Sequence, residues 1–327
     1  MGLPENYHPS LDDPNAWVPY RYIPSKAAAI VFVIVFSITT FLHIFQLIKK
    51  RTWYFIPLVI GGFFEIIGYI GRIISIQDIW KLGPYIIQSL LLLVAPALFA
   101  ASVYIILGRI ILMVDGERYS LIRQKWLTKI FVTGDVLSFM VQGGATISSM
   151  HTGERLIIVG LVLQLVFFGL FIVVAGLFHY RLVNDTPSKS LSLPFRHSRR
   201  LTVSSTAPIN GTRRVNIHEL PWKSHLYVLY SASILILIRS LFRLIEYAQG
   251  NGGYLLKHEY FLYVFDAMLM FFTMVIFNWI HPSEITDCYK KRMTEEEGLG
   301  MHATRDAYLG TDNHESIRMD SSTKGAV

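Results

Sequence analysis

Charge and cysteine are what this chain has least of. Only 16% of its 327 residues are charged, against about 25% in soluble globular domains, so there is too little charge to cover a water-facing surface. The single cysteine, Cys288, rules out an intramolecular disulfide and any multi-cysteine metal site. No G-x-x-x-x-G-K-[ST] phosphate loop occurs, which argues against ATP hydrolysis by this chain. The apolar runs also lack the strict alternation of a β-barrel wall. What the chain does have is hydrophobicity: 52% of the residues are apolar, many of them in long uncharged runs such as 27–41 and 156–178. No water-facing helix can hide so wide an apolar surface, so the chain reads as a membrane protein.

A bilayer core about 30 Å thick needs about 20 apolar residues per helix. Seven stretches qualify, at 27–48, 55–76, 84–113, 127–149, 156–178, 224–247 and 259–281. The expected fold is therefore all-α, a polytopic membrane protein with seven transmembrane helices. It divides into an N-terminal segment 1–26, a transmembrane domain 27–281 and a disordered tail 282–327. The first span is too long for the apolar core of a signal peptide and follows no basic start, so it is expected to stay as an anchor. Pro96 inside the third stretch supplies a cause for a kink.

Orientation follows from the basic residues, which are held on the cytoplasmic side of short loops. Of the 30 lysines and arginines, 20 fall on the face shared by the links after the first, third and fifth spans and the tail, against 5 on the other face. That places the N-terminus outside and the C-terminus in the cytoplasm. Two glycosylation sequons, Asn184-Asp185-Thr186 and Asn210-Gly211-Thr212, lie in the strongly basic loop 179–223 and pull the other way. The charge count outweighs them, because such short sequons arise often by chance.

Within that loop, residues 184–221 are rich in serine, threonine, proline and arginine and have no helical apolar period, so disorder is expected. The plain reading is a solvated loop obeying the positive-inside rule. The functional alternative is a basic patch held on anionic lipid and released by a kinase. The net charge of +7 is small for the chain's size, and no nucleic-acid partner is expected.

The informative residues are the charges inside the spans. Four acids, Glu65, Asp135, Glu246 and Asp266, face four arginines, Arg72, Arg109, Arg239 and Arg243. An unpaired charge at the bilayer centre costs about 2.5–3.5 kcal/mol on insertion scales, so equal numbers suggest pairing. A separation of seven residues returns to the same helical face. Glu65 and Arg72 therefore share a face, and so do Arg239, Arg243 and Glu246 in the sixth span. Asp135, Ser138 and Gln142 repeat the pattern in the fourth. Two groups are expected: a polar cluster between the second, sixth and seventh spans, and an Arg109–Asp135 pair between the third and fourth. Such charges either lock helices together or line a cavity for the polar head of an amphipathic molecule.

The same residues carry a resemblance. Glu65, Gly68, Tyr69 and Arg72, then Ala95, Pro96, Ala100, Ala101, Tyr104, Gly108 and Arg109, then Gly134, Asp135, Ser138 and Gln142 are similar to the motifs of the fungal RTA-like proteins, also called the lipid-translocating exporter family. The match continues through Gly160, Gln164, Arg239, Phe242, Arg243, Glu246, Glu259, Tyr263, Asp266 and the His281-Pro282 pair. The resemblance implies a seven-helix fungal membrane protein, often at the plasma membrane. It further implies roles in release of sphingoid long-chain bases, in resistance to toxic amphipathic amines and sterol analogues, or in tetrapyrrole handling.

Three functions compete. In the leading one, a translocator without a cofactor, Glu65, Asp135, Glu246 and Asp266 act as counterions for a cationic head group. Arg72, Arg239 and Arg243 hold those acids ionised or meet a phosphate, Gln142 lines the path and Arg109 is a structural partner. Membrane lipids and amphipathic small molecules are the partners. A seven-helix receptor is the runner-up, although residues 114–126 carry no recognisable coupling motif. A zinc-dependent intramembrane lipid hydrolase comes third, with His43, His179, His225 and His281 near one face, yet no pair at i, i+4.

Overall fold

The structure, a computed structural model, describes residues 18–114, 116–144, 150–184, 222–250, 252–291 and 294. The basic loop beyond Asn184, the phosphorylation segment, the second sequon and most of the tail lie outside the described residues.

All regular structure among the described residues is helical. Helix α1 (Lys26–Lys50) starts at Ser25, whose hydroxyl accepts from the Ala28 N–H, the usual N-cap bond. It stops where Arg51 turns left-handed (φ 51°) and the Thr52 N–H folds back to the Leu47 carbonyl 3.1 Å away. Helix α2 (Ile56–Ser75) has Pro57 in its first turn, where a missing N–H costs nothing. There follow α3 (Leu82–Met113), α4 (Gln124–Gly144), α5 (Met150–Val183), α6 (Trp222–Ala248) and the single turn α7 (Tyr254–Lys257). The last apolar stretch is α8 (Glu259–Leu262), a π turn (Tyr263–Ala267) and α9 (Met268–Trp279).

Six helices among the described residues are long and apolar enough to cross a membrane, where the sequence led us to expect seven. Helix α4 is the difference. Its 21 residues span about 31 Å at 1.5 Å per residue. Lys125, Lys129, Asp135 and Gln142 make it too polar to count on composition. The 259–281 stretch also departs from the expected single regular helix, because the π turn interrupts it.

Helix α3 is the hub, packing against α2, α4, α5 and α6, while α9 closes the bundle against α1 and α6. The outward faces are apolar stripes. On α5, Val159, Val162, Val166, Leu170 and Val173 recur every three or four residues and are exposed, as suits a lipid-facing surface. Small residues set the closest approaches. A Cβ on Gly160 of α5 would lie 2.7 Å from the Ser138 carbonyl oxygen of α4, and one on Gly61 of α2 would strike the Phe99 ring of α3 at 2.6 Å.

Pro96 sits inside α3 without ending it. Having no N–H, it leaves the Leu92 carbonyl, four residues back, without its helical donor. The Arg239 guanidinium of α6 donates to that carbonyl instead. A proline defect in one helix thus becomes an anchor for a charge on another.

Two predictions follow from the packing. Gly160→Ala pushes α4 from α5 and lowers stability by about 1–3 kcal/mol, read as a fall in thermal midpoint in detergent. Pro96→Ala returns a donor to the Leu92 carbonyl, so Arg239→Leu costs less in that background than alone. A double-mutant cycle should read a coupling of about 0.5–3 kcal/mol, and simple additivity would contradict the anchor.

Candidate functional site

The site is built at the end of the bundle that carries the N-terminal segment. On α6, Arg239, Arg243 and Glu246 form the buried stripe that helical spacing predicts. Asp266 meets them from the π turn, a local widening of the helix often found at functional sites. Arg239 Nε donates to Asp266 Oδ1 at 2.5 Å and Arg243 Nη2 to Asp266 Oδ2 at 2.6 Å. Arg243 Nη1 donates to Glu246 at 2.8 Å. One carboxylate is thus clamped by two guanidiniums, a geometry that makes buried charge tolerable.

Arg72, fully buried on α2, forms a second knot with residues the spacing argument did not pair with it. Its Nη2 donates to Glu259 at 2.8 Å and to the Tyr22 hydroxyl at 2.7 Å, and its Nε donates to the Tyr263 hydroxyl at 3.1 Å. Tyr20, Tyr22 and Tyr263 present their rings to the guanidinium 5.4–5.7 Å away, close enough for cation–π attraction. Both Glu259 oxygens also accept the Ser25 N–H, at 2.8 and 2.9 Å, so one carboxylate ties α2 to the start of α1. Burial raises the Tyr22 phenol above its ordinary pKa, with Arg72 only partly opposing it, so the phenol stays protonated at neutral pH.

These two knots pair three arginines with three carboxylates, Glu246, Glu259 and Asp266. Glu65, buried beside them in the field of Asp266, Arg239 and Arg243, has no ion pair of its own among the described residues. The cluster therefore contains one acid more than its arginines. Several donors inside it are also unused: Arg72 Nη1, Arg239 Nη1 and Arg243 Nε have no partner among the described residues.

A cavity of about 390 Å³ opens over this cluster, within the usual range for small-molecule sites. Arg72, Arg243 and Glu246 line its charged floor, Arg21 and Glu154 add one charge of each sign to its lining, and Leu90, Leu93 and Leu262 contribute to its apolar wall. Residues 19–22 form one side, held there by the Tyr20 hydroxyl donating to Gln88 at 2.7 Å. Gln142 of α4 reaches the same cavity and donates to Gln164 of α5 at 3.3 Å.

Asp135 stands apart. Tyr104 of α3 donates to its Oδ2 at 2.9 Å, and its Oδ1 has no partner. The Arg109–Asp135 pair expected from sequence does not form. Arg109 lies over the Tyr54 ring, 3.6 Å from its centroid, and reaches Thr286 at 3.5 Å. The aromatic ring and hydroxyl at that helix end satisfy the guanidinium without a carboxylate. The four histidines do not build a zinc site either: among the described residues no three His, Cys, Asp or Glu side chains converge on a metal position. His43 instead bonds the Met274 carbonyl at 3.0 Å, and His225 lies 3.3 Å from Glu284.

Sequence reasoning about paired charges missed Glu259, Tyr22, Gln88 and Tyr263. Glu259 falls at the first residue of the last apolar stretch and so was not counted as intramembrane. The i, i+4, i+7 run of Glu259, Tyr263 and Asp266 could have revealed it.

Comparisons with known proteins give the chain's family. The family model described as RTA1 like protein matches residues 58–288, from α2 to the C-terminal side of α9. Protein RTM1 of Saccharomyces cerevisiae is 34% identical over 307 residues, covering 80% of this chain and 91% of that protein. Protoporphyrin uptake protein 1 of the same yeast is 36% identical, covering 81% and 92%. The sphingoid long-chain base transporter RSB1, also from that yeast, is 27% identical over 327 residues, covering 92% and 82%. No solved structure matches the chain. A family model spanning more than two thirds of the sequence and relatives above 30% identity over nearly their full length leave one assignment: the chain is a polytopic membrane protein of the RTA1-like family.

Proposed function

We propose that the protein translocates amphipathic, lipid-like molecules with a cationic head across its membrane, the plasma membrane being the favoured site. One observation carries the reading. The cavity joins an apolar wall to a floor of Arg72, Arg243 and Glu246, over a cluster whose acids outnumber its arginines by Glu65. A cationic head finds a partner in Glu246, above a cluster in which Glu65 has no ion pair of its own, and an apolar tail suits the wall and the surrounding lipid. The unused donors of Arg72 and Arg243 suit hydroxyl or phosphate oxygens on the same head. Glu246 is the carboxylate placed to meet an ammonium group, with Glu65 and Asp266 setting the charge beneath it.

Relatives named for protoporphyrin uptake and for sphingoid long-chain base transport support movement of amphipathic molecules, and the second of them supports a cationic head. In this reading α4 is a seventh span, its polar stripe covered by α3 and α5, and the cavity end of the bundle faces outward, as the excess of basic residues on the opposite face favours. No residue is assigned a catalytic role.

The test is flux of a labelled sphingoid long-chain base through vesicles holding the purified protein, with no nucleotide added. Glu246→Gln should lower flux about tenfold, equivalent to about 1.4 kcal/mol, at unchanged protein abundance. Glu65→Gln should reduce the preference for the cationic base over an uncharged analogue. If both variants match the wild type, the counterion role fails. Saturable binding without flux would make the cavity a receptor site.

A further inference from the structure

Asp135 is the buried carboxyl that the charge cluster does not use. It lies on α4 at 4% exposure, surrounded by rings. Tyr104, its hydrogen-bond partner, packs against Phe131, Phe168 and Phe171 with centroids 5.5, 6.1 and 4.5 Å away. Glu65, Glu246 and Asp266 all sit in the field of arginines. No arginine, lysine or histidine among the described residues pairs with Asp135. The groups that face it are few. From α3 there is Tyr104 alone, since Arg109 is turned to Tyr54 and Thr286. From α5, Phe168 and Phe171, neither of which ionises, pack on that Tyr104, and on α4 the nearest base, Lys129, is exposed.

A carboxylate without a cation is costly in such surroundings, and one proton removes the cost. Oδ1, which has no partner among the described residues, is the oxygen open to that proton. A hard metal ion fits poorly, because Ca²⁺ takes about six to eight oxygens and this pocket offers the carboxyl and one phenol. Asp135, Ser138 and Gln142 share one buried face of α4, and Gln142 lines the cavity, about 10 Å along the axis at 1.5 Å per residue.

We propose that Asp135 is a proton-binding site that couples movement of the cargo to the pH difference across the membrane. The step is a proton transfer only. In one state of the bundle the carboxylate takes up a proton from hydronium, leaving water and a neutral carboxylic acid, and in the other it returns the proton to water as hydronium, with no change of oxidation state anywhere. The proposal rests on the transport reading above and supplies that reading with an energy source for a chain that has no nucleotide loop.

Two measurements on the full-length protein test it. In infrared difference spectra between acid and alkaline pH, the wild type should show a carboxylic-acid band that Asp135→Asn lacks; identical spectra would overturn the site. In vesicles loaded with a labelled sphingoid long-chain base, one pH unit should shift the accumulation ratio about tenfold for one proton per cargo. Asp135→Asn should keep downhill exchange and abundance but lose the response to pH, and Asp135→Glu should recover it. Wild-type flux that ignores the pH difference would overturn the coupling while leaving transport intact. No flux at all would overturn the transport reading, and the coupling with it, even where the infrared band persists.

Discussion

The Arg239 guanidinium holds three elements together. It binds Asp266 in the π turn, donates to the carbonyl that Pro96 leaves free in α3, and sits on the stripe of α6 that carries Arg243 and Glu246. A buried guanidinium has five donors to satisfy, and its burial is tolerable only because a carboxylate and a main-chain oxygen meet it. The proline that removes a helical donor and the arginine that supplies another are complementary. Neither is well placed without the other.

From this anchor the rest of the site can be followed outward. Asp266 fixes Arg243, which fixes Glu246 at the cavity floor. Beside it, Arg72 gathers Glu259, Tyr22 and Tyr263, and Glu259 returns to the start of α1. The floor is therefore rigid and charged while the wall is apolar, the combination that distinguishes a site for an amphipathic molecule from a dry core. The two acids left outside this pairing, Glu65 and Asp135, differ in kind. Glu65 lies in the field of arginines that belong to other partners, whereas Asp135 has a phenol and no cation.

Much of the arrangement was legible in the sequence, for reasons that concern single helices. The i, i+4, i+7 spacing put Arg239, Arg243 and Glu246 on one face, and the same rule placed Asp135, Ser138 and Gln142 together. The family motifs picked out Glu259 and Tyr263, yet the charge count passed over Glu259 because it stands at a span boundary. Arg109 shows the limit of matching opposite signs. Helix phase decides which face a charge occupies, but not which neighbour presents a better partner, and here an aromatic ring won over a carboxylate.

By itself, then, the sequence determined that the chain enters a membrane, that its elements are helices, and which polar residues share a face on the second, fourth and sixth stretches. Those outcomes follow from local quantities: run length, periodicity and the cost of charge in hydrocarbon. Only the tertiary structure decided who pairs with whom. It turned the proline defect into a site for Arg239, folded residues 18–22 against Arg72, and left Glu65 and Asp135 without ion pairs of their own among the described residues. Such outcomes depend on distances between segments far apart in the chain, set by the packing of whole helices around α3, and no single helix's pattern contains them.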